Sequence, residues 1–300
     1  MQCDSGDSAR QASRSSAFAA LRRRIVTAAV LIPLVLGTLF FLPTAGVAVV
    51  FGAFIALGAW EWSYLAGWSA FQPRFYYTIA TSVCMAAAYW LLSLSWVKDQ
   101  MAGAMAGAAL LLLGGWCVAF YWLLDYQRRG IGIPKSRPLL CAAGWFVVVP
   151  GWAALIGLHG RAEGGVFLVV ALMLVIWSAD IGAFFVGKRW GKHRLADKVS
   201  PGKTWEGLWG GLAASGAVGW LCSGWIPLRF ADRVGFMTLC LATVIFSVLG
   251  DLFESLVKRQ AGVKDSGSLL PGHGGILDRI DSLMAAAPVF ALGSAVGLPL

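Results

Sequence analysis

Residues 235–259 read GFMTLCLATVIFSVLGDLFESLVKR, apolar through Gly250 and then marked by Asp251, Glu254, Ser255 and Lys258 at positions i, i+3, i+4 and i+7. On a helix those four side chains form one polar stripe, and Leu252, Phe253, Leu256 and Val257 are left for lipid or neighbouring helices. A bilayer core about 30 Å thick needs about 20 apolar residues to cross it, which this stretch supplies. A carboxylate at the bilayer centre costs about 2.5–3.5 kcal/mol even on permissive insertion scales. Two on one helix are tolerated only if they face a wet cavity, a cation or a partner. A Glu254–Lys258 pair at i,i+4 could by itself be snorkelling near the interface, but that leaves Asp251, one turn deeper, unexplained.

The whole chain has the same character. Of 300 residues, 58% are hydrophobic and only 13% charged, and the mean hydropathy is +0.72. A soluble chain carries about 25% charge, so this one uses lipid as solvent. Disordered, collagen-like and disulfide-framework classes are excluded on the same numbers. The net charge of +9 would suggest nucleic acid only if the basic residues shared one soluble face, and they do not. Cys3, Cys84, Cys117, Cys141, Cys222 and Cys240 contain no CxxC pair and read as small hydrophobes.

Nine apolar runs of spanning length recur, at 25–43, 46–66, 76–96, 101–125, 139–157, 166–187, 207–226, 235–257 and 283–300. The expected fold is therefore an all-α polytopic membrane protein with about nine transmembrane helices. Residues 1–24 read as a disordered basic tail, 25–165 as N-terminal membrane helices, and 166–300 as a catalytic membrane region with long loops at 188–206 and 259–282. The first run is too long for a signal-peptide core and reads as an uncleaved helix. With the N-terminus inside, 20 of the 24 Lys and Arg fall on the cytoplasmic side; only Lys98, Arg161, Arg229 and Arg233 fall outside.

The first long loop, with the helix that leads into it, supplies Asp180 inside an apolar run, then Lys188, Ser200, Lys203 and Thr204. Ala183 and Gly187 follow Asp180 at i+3 and i+7 as a small-residue face fit for close helix contact. Gly202-Lys203-Thr204 looks like the end of a P-loop, but Asp197 replaces the earlier glycine and no strand is expected before it, so that motif is rejected. The residue types still suit phosphate at a helix N-terminus, against the plainer reading of topological charge. The second loop supplies Lys264, Asp265, then Pro271-Gly272-His273-Gly274-Gly275, then Asp278, Arg279 and Asp281. Glycines around His273 would let backbone N–H groups approach an anion. Asp278 and Asp281 share a face at the start of the last helix, where Asp281 could equally be a dipole residue. Carboxylates without Cys or neighbouring His favour a hard cation such as Mg²⁺. Glu61, between two tryptophans, could be interfacial or functional, and Asp125, at a helix end, reads as interfacial.

The pattern Ser255-Leu-Val-Lys258-Arg259, Lys264-Asp265, Pro271-Gly-His273-Gly-Gly, Asp278-Arg279-Ile-Asp281 resembles the signature of the phosphatidate cytidylyltransferases, or CDP-diacylglycerol synthases, without departure across the 27 residues. The segments 178–188 and 200–207 are also similar to that family's, so the likeness covers the C-terminal 120 or so residues; the N-terminal half matches only in being hydrophobic and multi-spanning. The resemblance implies an integral membrane enzyme, homodimeric and dependent on Mg²⁺ or Mn²⁺, that joins CTP to phosphatidic acid and releases pyrophosphate. It implies Asp251 and Asp278 as metal ligands, with a monovalent cation such as K⁺ nearby. Asp251, Lys258, Asp278 and Asp281 would be catalytic. Asp180, Lys188, Ser200, Lys203, Thr204, Glu254, Ser255, Arg259, Lys264, His273, Gly274, Gly275 and Arg279 would contact substrate. The chemistry agrees: phosphatidate is already an anionic nucleophile, and the difficulty lies in bringing it to a triphosphate, which metal ions and Lys or Arg relieve. The expected setting is a bacterial inner membrane, with the site facing the cytoplasm and no nucleic acid involved. The rival reading is a cation-coupled transporter, since intramembrane acids also mark ion pathways. A CDP-alcohol phosphatidyltransferase is set aside because its acidic spacing is absent, and a non-catalytic scaffold because it leaves the acidic stripe unexplained.

Overall fold

The computed structural model describes residues 26–27, 29–93, 101–225, 230–269 and 274–297. Nine helices occur among the described residues, one for each apolar run. They are α1 (Ala29–Phe41), α2 (Thr44–Leu65), α3 (Phe71–Ser93), α4 (Met101–Arg129), α5 (Arg137–His159), α6 (Gly165–Trp190), α7 (Trp205–Cys222), α8 (Phe230–Gln260) and α9 (Leu277–Gly297). Between α6 and α7 lie two short strands, β1 (Arg194–Ala196) and β2 (Ser200–Thr204). Among the described residues six helices, α2 to α6 and α8, are long and apolar enough to cross a membrane. The all-helical, multi-spanning architecture therefore stands, while length and composition mark six of the nine helices as spans among the described residues. The described part of α1 is short, α7 is rich in Gly, and α9 opens on two acids.

The packing differs between the two halves. Lipid offers no hydrophobic drive between helices, so close approach depends on small residues. On α6, a Cβ at Gly182 would sit 2.6 Å from both the Gly210 carbonyl oxygen and the Ala214 side chain of α7. A Cβ at Gly211 would sit 2.8 Å from the Ala179 oxygen, and one at Gly207 2.9 Å from that of Ala183. The small face expected around Ala183 and Gly187 is thus the seam between these helices. Elsewhere the joints are aromatic. The Trp62 indole of α2 donates to the Leu140 carbonyl (2.7 Å), the Tyr77 hydroxyl of α3 donates to that of Cys141 (3.0 Å), and Tyr77 stacks on Trp145. Buried rings of this type need a partner for their polar end, and the first turns of α5 provide it.

Helix α9 is the centre of the bundle. Met284, Ala285, Ala286, Ala287 and Phe290 are fully buried. Gly151 of α5 and Gly250 of α8 sit so close to Met284 and Ala285 that neither has room for a side chain. Large apolar side chains such as Phe41, Leu111, Phe185 and Trp209 point outward, as helices solvated by lipid require. At one end of the bundle His159 bridges the Thr44 hydroxyl (3.1 Å) and the Leu39 carbonyl (3.0 Å). At the other end lie the C-termini of α2, α4, α6 and α8, the N-termini of α5, α7 and α9, and the strand pair.

Two expected loops are shorter than the sequence suggests. Helix α6 continues to Trp190, and the remainder of 188–206 carries an antiparallel hairpin with Arg194 opposite Thr204 and Ala196 opposite Ser200. A strand does therefore precede α7, correcting the expectation that none would. Strands this short, half-exposed and charged, give no alternating apolar signal. The Gly202-Lys203-Thr204 segment lies in β2 itself rather than in a loop after it, so P-loop geometry is still absent. The second loop ends at Ile276, because α9 begins at Leu277 and carries Asp278 and Asp281 within it.

Candidate functional site

A cavity of about 790 Å³ opens at the polar end of the bundle. One wall is apolar, with Leu31, Leu34 and Val35 of α1 and Phe51 and Phe54 of α2. The other end gathers Asp180 of α6, Asp251 and Lys258 of α8, and Asp278, Arg279 and Asp281 of α9. The polar stripe that defined α8 in sequence thus faces protein and cavity, not hydrocarbon. A smaller space of about 190 Å³ shares Asp180 with the first and adds Gly202, Lys203 and Thr204 from β2.

Two lysine–aspartate pairs organise the charge. Lys258 reaches Asp278 at 2.5 Å and Glu254 at 3.0 Å. Glu254 is buried, and neither of its oxygens has a hydrogen-bond partner among the described residues apart from that ion pair. Asp278 is held further: its Oδ2 accepts from the backbone N–H groups of Ser266 (3.0 Å) and Gly275 (2.8 Å). Lys203 of β2 reaches Asp251 at 2.5 Å, and the Ser255 hydroxyl donates to the same carboxylate at 3.3 Å. Asp281 is buried, with Oδ1 accepting from the Ser282 N–H (2.6 Å).

Other expected site residues have structural partners or lie apart. Thr204 caps α7, its hydroxyl accepting from the Gly207 N–H at 3.1 Å. Arg259 donates to the carbonyls of Val199 (3.1 Å) and Val263 (3.4 Å), tying the hairpin to α8. Ser200 pairs with Ala196 in the hairpin. Lys188 is exposed and sits 5.6 Å from the Phe184 ring, and Lys264 is exposed; neither lines the cavity. His273 lies outside the described residues. Gly274 has φ +81°, and a side chain on Gly275 would collide with Ser266 and Glu61. The close anion approach expected of these glycines takes place, but with the protein's own carboxylates.

Glu61 is a residue whose partners the sequence does not show. It is buried, 3% exposed, against the loop before α9. Its Oε1 accepts from the Ile276 N–H (3.1 Å), and its Oε2 from the Leu277 N–H (2.9 Å) and the Ser266 hydroxyl (2.9 Å). These amides are the unpaired donors at a helix start. An acid flanked by two large aromatics carried no signal of a partner more than 200 positions away. Asp125 pairs with Arg129 at 3.3 Å.

Among the described residues, no group of three or more His, Cys, Asp or Glu is arranged to hold a metal ion. What the cavity offers is a group of carboxylates beside Lys258 and Arg279, with Lys203 in the adjoining space, a surface suited to phosphates with their charge partly balanced.

Comparison with known proteins agrees with this chemistry. The model of the cytidylyltransferase family matches residues 22–296. A phosphatidate cytidylyltransferase of Pseudomonas aeruginosa is 45% identical over 273 residues, 90% of this chain and 96% of that protein. One from Haemophilus influenzae is 36% identical over 287 residues, 90% and 97% of the two chains. One from Brucella suis is 41% identical over 192 residues, 64% of each. The match therefore runs through the N-terminal helices as well as the signature region, and the chain belongs to the cytidylyltransferase family.

Proposed function

We propose that the chain transfers CMP from CTP to phosphatidic acid, giving CDP-diacylglycerol and pyrophosphate for phospholipid synthesis. The observation that carries this is the cavity of about 790 Å³, which joins an apolar wall on α1 and α2 to a charged end on α6, α8 and α9. A lipid with a phosphate head fits such a space. Phosphatidate enters sideways from the inner leaflet with its tails in lipid, and the nucleotide arrives at the charged end from the cytoplasm. The multi-pass chain resides in a bacterial inner membrane with its N-terminus inside, because 20 of its 24 Lys and Arg then face the cytoplasm. It works as a homodimer.

A phosphate oxygen of phosphatidate attacks the α-phosphorus of CTP, the bond to the β-phosphate oxygen breaks, and pyrophosphate leaves. The nucleophile is already anionic, so no base has to remove a proton. Catalysis is then positioning and charge neutralisation. Lys203, Lys258 and Arg279 neutralise phosphate oxygens as nucleophile and triphosphate approach. Asp251 and Asp278 hold those lysines in place before substrate arrives. The donor set fits Mg²⁺ or Mn²⁺: all-oxygen, with no cage of three acids among the described residues, as befits an ion bound through one or two carboxylates plus substrate phosphates and water. Asp251 and Asp278 would hold it, with a monovalent cation such as K⁺ nearby. When bound, the divalent ion polarises phosphoryl oxygens and balances the charge on the leaving group. The transporter reading draws no support from the relatives, which are named as cytidylyltransferases.

The deciding experiment uses purified protein, radiolabelled CTP, phosphatidate and Mg²⁺. A labelled lipid product with release of pyrophosphate is expected. A substrate-dependent ion current in proteoliposomes without nucleotide turnover would overturn the assignment.

A further inference from the structure

We infer that Glu61 is a positioning residue for Asp278, reaching across the bundle from α2 to fix the start of α9 and the loop before it; this rests on the proposed reaction at the same cavity. The connections are continuous. Glu61 accepts from the amides of Ile276 and Leu277, the last two residues before Asp278. It also accepts from the Ser266 hydroxyl, and the Ser266 amide in turn donates to Asp278 Oδ2. Asp278 holds Lys258 at the cavity. One carboxylate thus anchors both backbone strands that flank Asp278, and Glu61 does not itself line the cavity.

The surroundings are shaped to this acid. A Cβ on Gly267 or Gly275 would run into Glu61, so the loop wraps it at backbone distance. The turn that carries Glu61 is fixed from outside by Arg74 of α3, whose guanidinium donates to the Trp60 carbonyl (3.0 Å) and the Ser63 hydroxyl (3.3 Å) and lies 4.1 Å from the centre of the Trp60 ring. A neutral amide cannot replace the carboxylate. Glu61 meets backbone N–H donors on both oxygens, and Gln would turn its own NH₂ towards one of them, leaving that amide unpaired. Asp would keep the charge and both acceptors at a shorter reach.

The test compares wild type, Glu61→Gln, Glu61→Asp, Ser266→Ala and the Glu61→Gln/Ser266→Ala double variant, each as the full chain in lipid nanodiscs. Hydrogen–deuterium exchange is read over residues 264–280, together with kcat and KM for CTP and the unfolding temperature. Glu61→Gln is expected to speed exchange at Ile276 and Leu277 by about tenfold or more, as a local opening. It should lower kcat by about 10–100-fold while KM for CTP changes less than about threefold, the cost of a displaced group. Glu61→Asp should recover part of kcat, and Ser266→Ala should matter less in the Gln background than alone, since both act through one network. Wild-type exchange and kcat in Glu61→Gln would overturn the inference, as would a fall in kcat matched only by a fall in folded protein. Should Glu61→Gln not fold, unchanged exchange and kcat in Ser266→Ala would overturn it equally. Exchange needs no substrate. A wild-type protein that forms no labelled lipid while Glu61→Gln still loosens Ile276 and Leu277 would defeat the reaction assigned above, not the link from Glu61 to the loop.

Discussion

The two lysine–aspartate pairs at the cavity have the same 2.5 Å separation and opposite surroundings. In Lys258–Asp278 the side chains are 10% and 8% exposed, Glu254 is added at 3.0 Å, and Asp278 takes two further backbone hydrogen bonds. In Lys203–Asp251 the side chains are 27% and 29% exposed, and the lysine comes from a two-stranded hairpin. A half-exposed pair of this kind lies close to a surface pair, worth about 0–1 kcal/mol, so either partner can be exchanged at small cost. Removing one member of a buried pair costs about 3–5 kcal/mol because a charge is left stranded. The same two residue types therefore stand in different settings: the inner pair is enclosed by protein, and the outer pair is open to anything that enters the cavity.

The sharpest way to break this contrast is Lys258→Met. Two buried carboxylates, Glu254 and Asp278, lose their cation. Stability should fall by about 3–5 kcal/mol, read as a lower unfolding midpoint in detergent, and turnover should vanish with it. A variant as stable as wild type would put the inner pair in the same class as the outer one. Asp251→Asn tests the other side. Turnover should drop by about 100-fold or more through loss of a carboxylate that would hold the divalent ion and that fixes Lys203, while stability moves by no more than about 1 kcal/mol. Near-normal CTP consumption would remove Asp251 from the reaction.

That contrast was only half legible in the sequence. Asp251, Glu254, Ser255 and Lys258 at helical spacing announced a stripe, and the apolar runs announced the helices, because both signals are local and periodic. Burial is neither. Nothing in the order of residues says that Lys258 would meet Asp278, 20 positions on, inside the protein while Lys203 meets Asp251 at its edge. The hairpin was missed because strands of three and five residues leave no pattern. The role of Glu61 was open because its partners, Ser266, Ile276 and Leu277, are adjacent only after α2 and α9 have packed. The likeness in the C-terminal signature could not supply this acid, since it stands in the other half of the chain.

Lys203→Ala is the milder test of the outer pair. Loss of one ammonium should raise KM for CTP by about tenfold, or about 1.4 kcal/mol of binding, with little change in kcat or stability. Unchanged KM would return Lys203 to the charges that set topology.

Whether Lys203 is presented rather than loose depends on its hairpin, which is fastened at Glu206. That carboxylate receives the backbone N–H of Lys192 (3.1 Å) and of His193 (3.2 Å to Oε2), and lies 2.6 Å from His193 Nδ1. Its pKa is pulled down to about 2, first by a hydrogen bond with its own backbone N–H and then by the His193 ring, with the Lys192 and His193 amides adding to both. The ordinary value is 4.5, so the ionised form is the one the fold favours. The contribution is complete above about 4.5 and is lost as the pH falls through about 2. Protection of the Lys192 and His193 amides should therefore hold constant above pH 4.5 and decline between there and about pH 2, while Glu206→Gln should lack this step. The effect on turnover at neutral pH should be the smallest of the series, because a hairpin already tied by Arg259 to α8 keeps one fastening when the other is cut. A loss as large as that of Lys203→Ala would mean that Glu206 governs how Lys203 is presented, and the exposed pair would then be as organised as the buried one.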